Sequence, residues 1–162
     1  MNNFFDVIII GFGPTGGTLA SLLAKSNLSV LMLEKEKSLY PLPRAVHFDD
    51  EIMRVFETIG IKQKFRKYTI INKGTKFVDE NNNVLLDWPR PKEVTENGCY
   101  PSYRFHQPDL EKKLRKKLKN YKKVLIEQNL LNQQKNFSQL LLYETSNVIL
   151  SNKQFLSLDK AS

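Results

Sequence analysis

Hydrophobic positions along this chain follow two rhythms, one continuous and one helical. Phe4 to Ile10 is a short apolar, β-branched run interrupted only by Asp6. It reads as a strand buried on both faces of a parallel sheet. Pro14 then fits a first helical turn, where its missing N–H costs little, and Leu19, Leu22 and Leu23 recur at helical spacing. Leu28 to Leu33 is a second buried strand that ends at Glu34. Strand, helix and strand together make a βαβ unit of about the smallest size such a crossover allows.

The pattern continues into more helices and a hairpin. Asp49 to Ile59 predicts a helix with Asp49, Asp50 and Glu51 in the first turn, where the macrodipole favours acids. Its apolar stripe is Ile52, Val55, Phe56 and Ile59, and Gly60 supplies the stop. Phe77-Val78 and Val84–Leu86 flank Asn81-Asn82-Asn83, a hairpin with asparagine in left-handed turn positions. Pro108 opens a third helix carrying Leu110, Leu114, Leu118 and Tyr121, and Val124 to Ile126 returns as a parallel strand. Leu140–Tyr143 and Val148–Leu150 have the look of short strands. The class is α/β: a Rossmann-like fold with a parallel sheet, incomplete, plus a β-hairpin excursion.

Composition narrows the functions open to this fold. The 162 residues include one cysteine and two histidines, too few for a disulfide framework or a closed zinc site, and no metal site is expected. With 41% apolar residues a packed core is affordable, and no apolar run is long enough to span a membrane. The first 24 residues have no basic n-region, and Asp6 and the glycines of 11–17 break their apolar run. The expectation is therefore a soluble, cytoplasmic protein. The net charge of +8 is local. Lys112, Lys113, Arg115, Lys116, Lys117, Lys119, Lys122 and Lys123 carry all of it, leaving 17 bases against 17 acids elsewhere. A solvated helix face explains such a cluster better than a nucleic-acid site.

Chemistry concentrates near the front. Gly11-Phe12-Gly13-Pro14-Thr15-Gly16 is a GxGxxG at a strand-to-helix junction. Its first glycine permits a tight turn, its second lets a pyrophosphate approach the backbone, and its third lets the helix pack close. Phosphate charge then meets free N–H groups at the helix N-terminus. Glu34, 18 residues past Gly16, ends the second strand where a carboxylate accepts from an adenosine ribose. Read without a ligand, Glu34 is a solvent-exposed strand end beside Lys35, Glu36 and Lys37. A carboxylate there repels a 2′-phosphate and so disfavours NADP, while NAD and FAD both stay open. His47 and His106 lack a paired carboxylate or nucleophile, and Cys99 lacks an activating partner, so all three read as structural. Trp88 reads as a plug at the end of the hairpin.

Two further segments carry a resemblance. Arg44 stands in Leu42-Pro43-Arg44-Ala45-Val46, with Phe48-Asp49-Asp50-Glu51 after it, and Gln107 stands in Tyr103-Arg104-Phe105-His106-Gln107-Pro108-Asp109-Leu110-Glu111. With the glycine loop, they make the stretch from Asp6 to about Val124 similar to the N-terminal part of FAD-dependent aromatic monooxygenases. The nearest likeness is to the 3-(3-hydroxyphenyl)propionate hydroxylase-like group. The resemblance implies FAD held by Gly11, Gly13, Pro14, Thr15, Gly16, Glu34, Lys35, Arg44 and Gln107. Arg44 would neutralise pyrophosphate charge, and Gln107 would donate to the ribityl or phosphate region. It also implies NAD(P)H as co-substrate and oxygen transfer to a small phenolic ring.

The family's first helix usually ends in glycine, which Asn27 replaces here. No glycine follows Gly98, so the family's later Asp-Gly and Gly-Asp motifs are not among these residues. The domain expectation is thus an FAD-binding domain over 1–128, with a hairpin insertion at about 70–100. Residues 129–162 read as a weakly matched, truncated continuation. No catalytic residue is assignable, and the polypeptide alone is not expected to hydroxylate; a complementing C-terminal chain would fill the gap. The alternatives are an NAD-dependent Rossmann oxidoreductase, or a non-catalytic module that binds anionic partners through its basic helix.

Overall fold

The computed structural model describes residues 4–128, 144–145 and 148–150. In chain order the elements are β1 (Phe4–Phe5), β2 (Val7–Ile10), α1 (Pro14–Lys25), β3 (Val30–Leu33), β4 (His47–Asp49), α2 (Asp50–Thr58), α3 (Lys62–Arg66) and β5 (Thr69–Ile71). There follow β6 (Gly74–Val78), β7 (Val84–Pro89), β8 (Ser102–Phe105), α4 (Gln107–Leu118), β9 (Val124–Glu127), β10 (Glu144–Thr145) and β11 (Val148–Leu150). They form two compact units, one of Met1–Leu42 with Pro108–Ser162 and one of Pro43–Gln107.

The first unit is built on a four-stranded parallel sheet of order β11-β2-β3-β9. Its central strands are buried because both faces are covered: Ile8, Ile9, Val30, Leu31 and Met32 are at most 1% exposed. The run expected as one strand is split at Asp6. The Asp6 carboxylate accepts from the Ser29 N–H and Oγ, each at 2.7 Å, so the chain bends there. Beyond the bend, β1 pairs with β10 instead of joining the main sheet. Those bonds from Ser29 hold the Asp6 carboxyl below its ordinary value. Of the two late strands expected, Val148–Leu150 is β11, and Leu140–Tyr143 lies outside the described residues.

Helix α1 turns a different face inward than its leucines suggest. Gly16, Gly17, Ala20, Ser21 and Ala24 are buried, while Leu19, Leu22 and Leu23 are half-buried flanks. Small residues on the inner face let the helix approach closely. A Cβ on Gly17 would lie 2.8 Å from Phe12 Cε1 and 3.0 Å from Leu114 Cδ1. The helix ends as Asn27 allows: its φ is 63°, the Leu28 N–H donates to Leu23 O, and the Asn27 N–H donates to Ala24 O. That is a Schellman closure with asparagine in the glycine position.

The second unit holds an antiparallel sheet of order β4-β8-β5 and the separate β6–β7 hairpin. Its core is aromatic. Phe48 stacks on Tyr103 with centroids 5.3 Å apart and meets Phe56 edge-on at 5.3 Å, and Phe56 meets Phe65 edge-on at 5.6 Å. This cluster rotates α2 relative to the expected stripe. Met53, Phe56 and Ile59 are buried, while Ile52 is 39% exposed. Asp49 is the N-cap of α2, accepting from the Ile52 N–H at 3.1 Å, and does not lie in its first turn. The hairpin turns at Asn82, whose φ is 63°, and Asp79 Oδ1 accepts from the Asn81 and Asn83 N–H groups at 2.8 Å each. Trp88 is not a plug. It is 55% exposed, with the Arg90 guanidinium 4.9 Å from its ring.

Candidate functional site

The loop after β2 lies where an open parallel sheet receives ligands. From β2 the chain moves to β3 on one side, and β11 flanks β2 on the other, so the strand order reverses at the carboxyl end of β2. Gly11 leaves the strand with φ 98°, a turn that suits a residue without a side chain. The Gly11 N–H still donates to Leu33 O at 2.8 Å, which seats the loop beside the end of β3.

Gly13 is the informative position. Its φ of −90° and ψ of −172° are open to any residue, and a Cβ added there meets no atom within 4 Å. Neither backbone strain nor packing within the chain calls for a glycine there; a close-approaching ligand does. The helix that follows is equally receptive. Pro14 takes the first position, Gly13 provides no side-chain cap, and no acid lies in the first turn. At α2, Asp49 caps the N-terminus and Asp50 and Glu51 fill its first turn. Among the described residues no side-chain cap or first-turn acid answers the donors of α1, and a pyrophosphate fits them.

Glu34 is not an exposed strand end. It is 8% exposed, and its Oε2 accepts from the Phe12 N–H at 2.6 Å while Oε1 accepts from the Glu36 N–H at 2.9 Å. The carboxylate therefore ties the end of β3 to the glycine loop, and each oxygen keeps a lone pair for a ribose hydroxyl. Lys35 next to it is exposed, 3.9 Å from Glu36. Thr15 is exposed in the first turn of α1 and Gly16 is buried beneath it.

In the second unit Gln107 and Arg44 are linked, a contact that the sequence does not suggest. Gln107 is buried, and its Oε1 accepts from the Arg44 N–H at 2.9 Å and the Ala45 N–H at 2.7 Å. It braces the backbone of the loop that presents the exposed Arg44 side chain. The same unit places His47 Nε2 2.7 Å from Ser102 Oγ, a serine–histidine pair that spacing alone does not reveal. Ser102 is 1% exposed and its Oγ also accepts from Asn72 Nδ2 at 2.9 Å, so it is sealed from any substrate. Among the described residues no cluster of His, Cys, Asp and Glu could hold a metal, and no helix is long and apolar enough to cross a membrane.

Two residues of this site escape a sequence reading. One is Gly17, outside the GxGxxG but the glycine against which Phe12 and Leu114 pack. The other is Arg115, counted among the bases of an outer face. Its guanidinium lies 4.2 Å from the Phe12 ring centroid, and its Nε is buried without a hydrogen-bond partner. Burial pushes the guanidinium below its ordinary pKa, and the charges of Glu34 and Glu111 pull it back up. Arginine titrates so high that it stays charged.

A family model described as an FAD binding domain matches residues 5–139. The chain belongs to that family. The family settles the choice that Glu34 leaves open, and the cofactor of this domain is FAD. A probable NADH-specific resorcinol 4-hydroxylase of Rhodococcus jostii (strain RHA1) is 42% identical over 108 residues, 65% of this chain and 20% of the relative. A 3-(3-hydroxy-phenyl)propionate/3-hydroxycinnamic acid hydroxylase of Mycolicibacterium smegmatis is 36% identical over 86 residues, 53% of this chain and 15% of that protein. The FAD-binding domain thus spans 20% or less of those relatives. Among solved structures, p-nitrophenol 4-monooxygenase from Pseudomonas putida matches with a TM-score of 0.68 at 21% identity, covering 80% of this chain and 33% of that one. The flavin-dependent monooxygenase PieE, solved with FAD and substrate, matches with a TM-score of 0.65 at 15% identity, covering 78% and 24%. These likenesses establish the Rossmann-like fold of the FAD-binding domain.

Proposed function

We propose that this domain holds the ADP half of FAD in a flavin-dependent monooxygenase that hydroxylates a small phenolic ring with NAD(P)H and oxygen. The observation that carries the cofactor half is Gly13: an unstrained glycine facing empty space at the uncapped start of α1. Gly11, Pro14, Thr15 and Gly16 complete the pyrophosphate cradle, and Glu34 takes the ribose. Lys35, Arg44 and Gln107 are further cofactor residues in this reading: the two cations offset phosphate charge, and Gln107 fixes the backbone that carries Arg44. Bound FAD supplies the redox and oxygen chemistry; the chain supplies position and counter-charge. The phenolic substrate is inferred from the hydroxylases that match the chain at 42% and 36% identity.

A domain exchange tests this reading. Residues 5–128 replace the matching segment of the Rhodococcus resorcinol 4-hydroxylase, and the soluble chimera is assayed for bound flavin and for NADH-dependent hydroxylation. Retention of FAD with turnover within about tenfold of the parent is expected, the size of loss that ~1.4 kcal/mol of misfit at the joins would cause. A folded chimera without flavin would defeat the proposal.

A further inference from the structure

The arginine inside the basic helix lies over a ring of the glycine loop and keeps a buried Nε there. Lys112, Lys116, Lys119, Lys122 and Lys123 are exposed, as a solvated face requires, and Lys113 and Lys117 are half-buried, with Lys117 Nζ 5.2 Å from the Tyr121 ring. Arg115 instead shares the inner side of α4 with Glu111, Leu114 and Leu118, which are 4%, 0% and 0% exposed. An apolar side chain of similar volume would fill that space without the cost of desolvating a cation. Packing alone therefore does not account for an arginine here.

Its surroundings supply the reason. Phe12 is the residue between the two loop glycines, and the protein holds it by two handles. The Phe12 N–H is bonded to Glu34 Oε2, and the Phe12 ring lies against the Arg115 guanidinium on one side and Gly17 with Leu114 on another. The guanidinium lies over the ring and also provides counter-charge to the nearly buried Glu34 carboxylate. One cation thus lies over one handle of residue 12 and lends charge to the other.

We infer that Arg115 is a positioning residue for the adenosine end of the FAD site, acting through Phe12 and Glu34 to fix the shape of the glycine loop. This rests on the FAD reading of that loop. Phe12 sets the direction in which Gly13 is presented, so a loop released from Arg115 should admit the pyrophosphate less well while the fold persists.

The experiment is a calorimetric titration of the purified chain with FAD and with ADP, for the parent, Arg115→Met, Arg115→Lys, Glu34→Gln and the Arg115→Met/Glu34→Gln pair. Melting curves keep each titration well below unfolding. Arg115→Met is expected to weaken FAD and ADP by the same factor, about tenfold or more, which corresponds to ~1.4 kcal/mol or above. Arg115→Lys should recover part of that loss, because it restores charge without the planar, delocalised guanidinium. In the Glu34→Gln background the effect of Arg115→Met should shrink to about twofold, the mark of residues acting through one another. Binding by Arg115→Met within twofold of the parent, or full additivity with Glu34→Gln, would overturn the inference. If Arg115→Met does not fold, Arg115→Gln, which keeps polarity and most of the length, should show the same coupled loss, and its absence has the same meaning. A parent chain that binds neither FAD nor ADP defeats the cofactor reading itself, a different outcome from a variant that binds as the parent does.

Discussion

Gly13→Val is expected to weaken FAD binding about a hundredfold while leaving stability within about 1 kcal/mol of the parent. The two halves of that result have separate causes. The backbone at Gly13, φ −90° and ψ −172°, suits a β-branched residue, and a Cβ there touches no protein atom. Reducing the freedom of the unfolded chain stabilises by about 0.4–1 kcal/mol, and the poorer N-cap costs a few tenths or somewhat more, so the two nearly cancel. The isopropyl group, however, occupies the space that a pyrophosphate needs at the start of α1. Losing two charge-assisted bonds from the helix N–H groups, each about 1.5–3 kcal/mol, is enough for the hundredfold. Titration with FAD and thermal unfolding of the same preparation check both halves. A large drop in melting temperature would mean that Gly13 serves the fold and not a ligand.

Glu34→Ala should do the opposite and lose both. The side chain accepts from two backbone N–H groups, Phe12 in the buried loop and Glu36 at the strand end. Bonds to a charged acceptor are worth about 1.5–3 kcal/mol each, and an unsatisfied buried donor is left behind, so destabilisation of about 3 kcal/mol is expected in urea unfolding. Arg115 also loses the larger of its two counter-charges, which moves the cost upward. FAD affinity should fall at least tenfold because the loop loses its tie and the ribose its acceptor. Glu36→Ala is the control. Its carboxylate is 47% exposed and pairs only loosely with Lys35 at 3.9 Å, so it should change stability by less than about 0.5 kcal/mol. Equal effects from Glu34 and Glu36 would return Glu34 to a solvated strand end.

Much of this domain is legible in sequence because the signals are local. The buried run Val7–Ile10, the turn at Gly11, Pro14 at the helix start and Glu34 at the end of β3 follow one another within a single βαβ unit. Asn27 is read correctly as a stand-in for glycine because the left-handed position itself demands one of a few residues. What fails is whatever depends on distant neighbours. The inner face of α1 is set by Phe12 and by Leu114 on α4, so its glycines and alanines go inside and its leucines flank them. The rotation of α2 is set by Phe48 and Phe65, neither of which lies on that helix. β4, β5 and β8 are too short and mixed for a period of two to emerge, yet three of them together make a sheet. Arg115 is hidden by company: in a run of lysines nothing local marks the cation that lies over Phe12, and its neighbours Phe12 and Glu34 stand about a hundred and about eighty residues earlier in the chain. Gln107 shows the same limit at finer grain. Its place at the head of α4 is visible in sequence, but its use as a brace for the Arg44 backbone depends on a loop more than sixty residues earlier.

The proposed FAD site of the glycine loop and Glu34 is open to a direct test. Its most direct measurement is calorimetric titration of the purified 162-residue chain with FAD, and with NAD and NADP for comparison. One FAD per chain is expected, with at least tenfold weaker binding of NADP than of NAD because of the Glu34 carboxylate, and loss of FAD binding in Gly13→Val. Binding of NADP as tight as FAD, or FAD binding that Gly13→Val leaves intact, would contradict it.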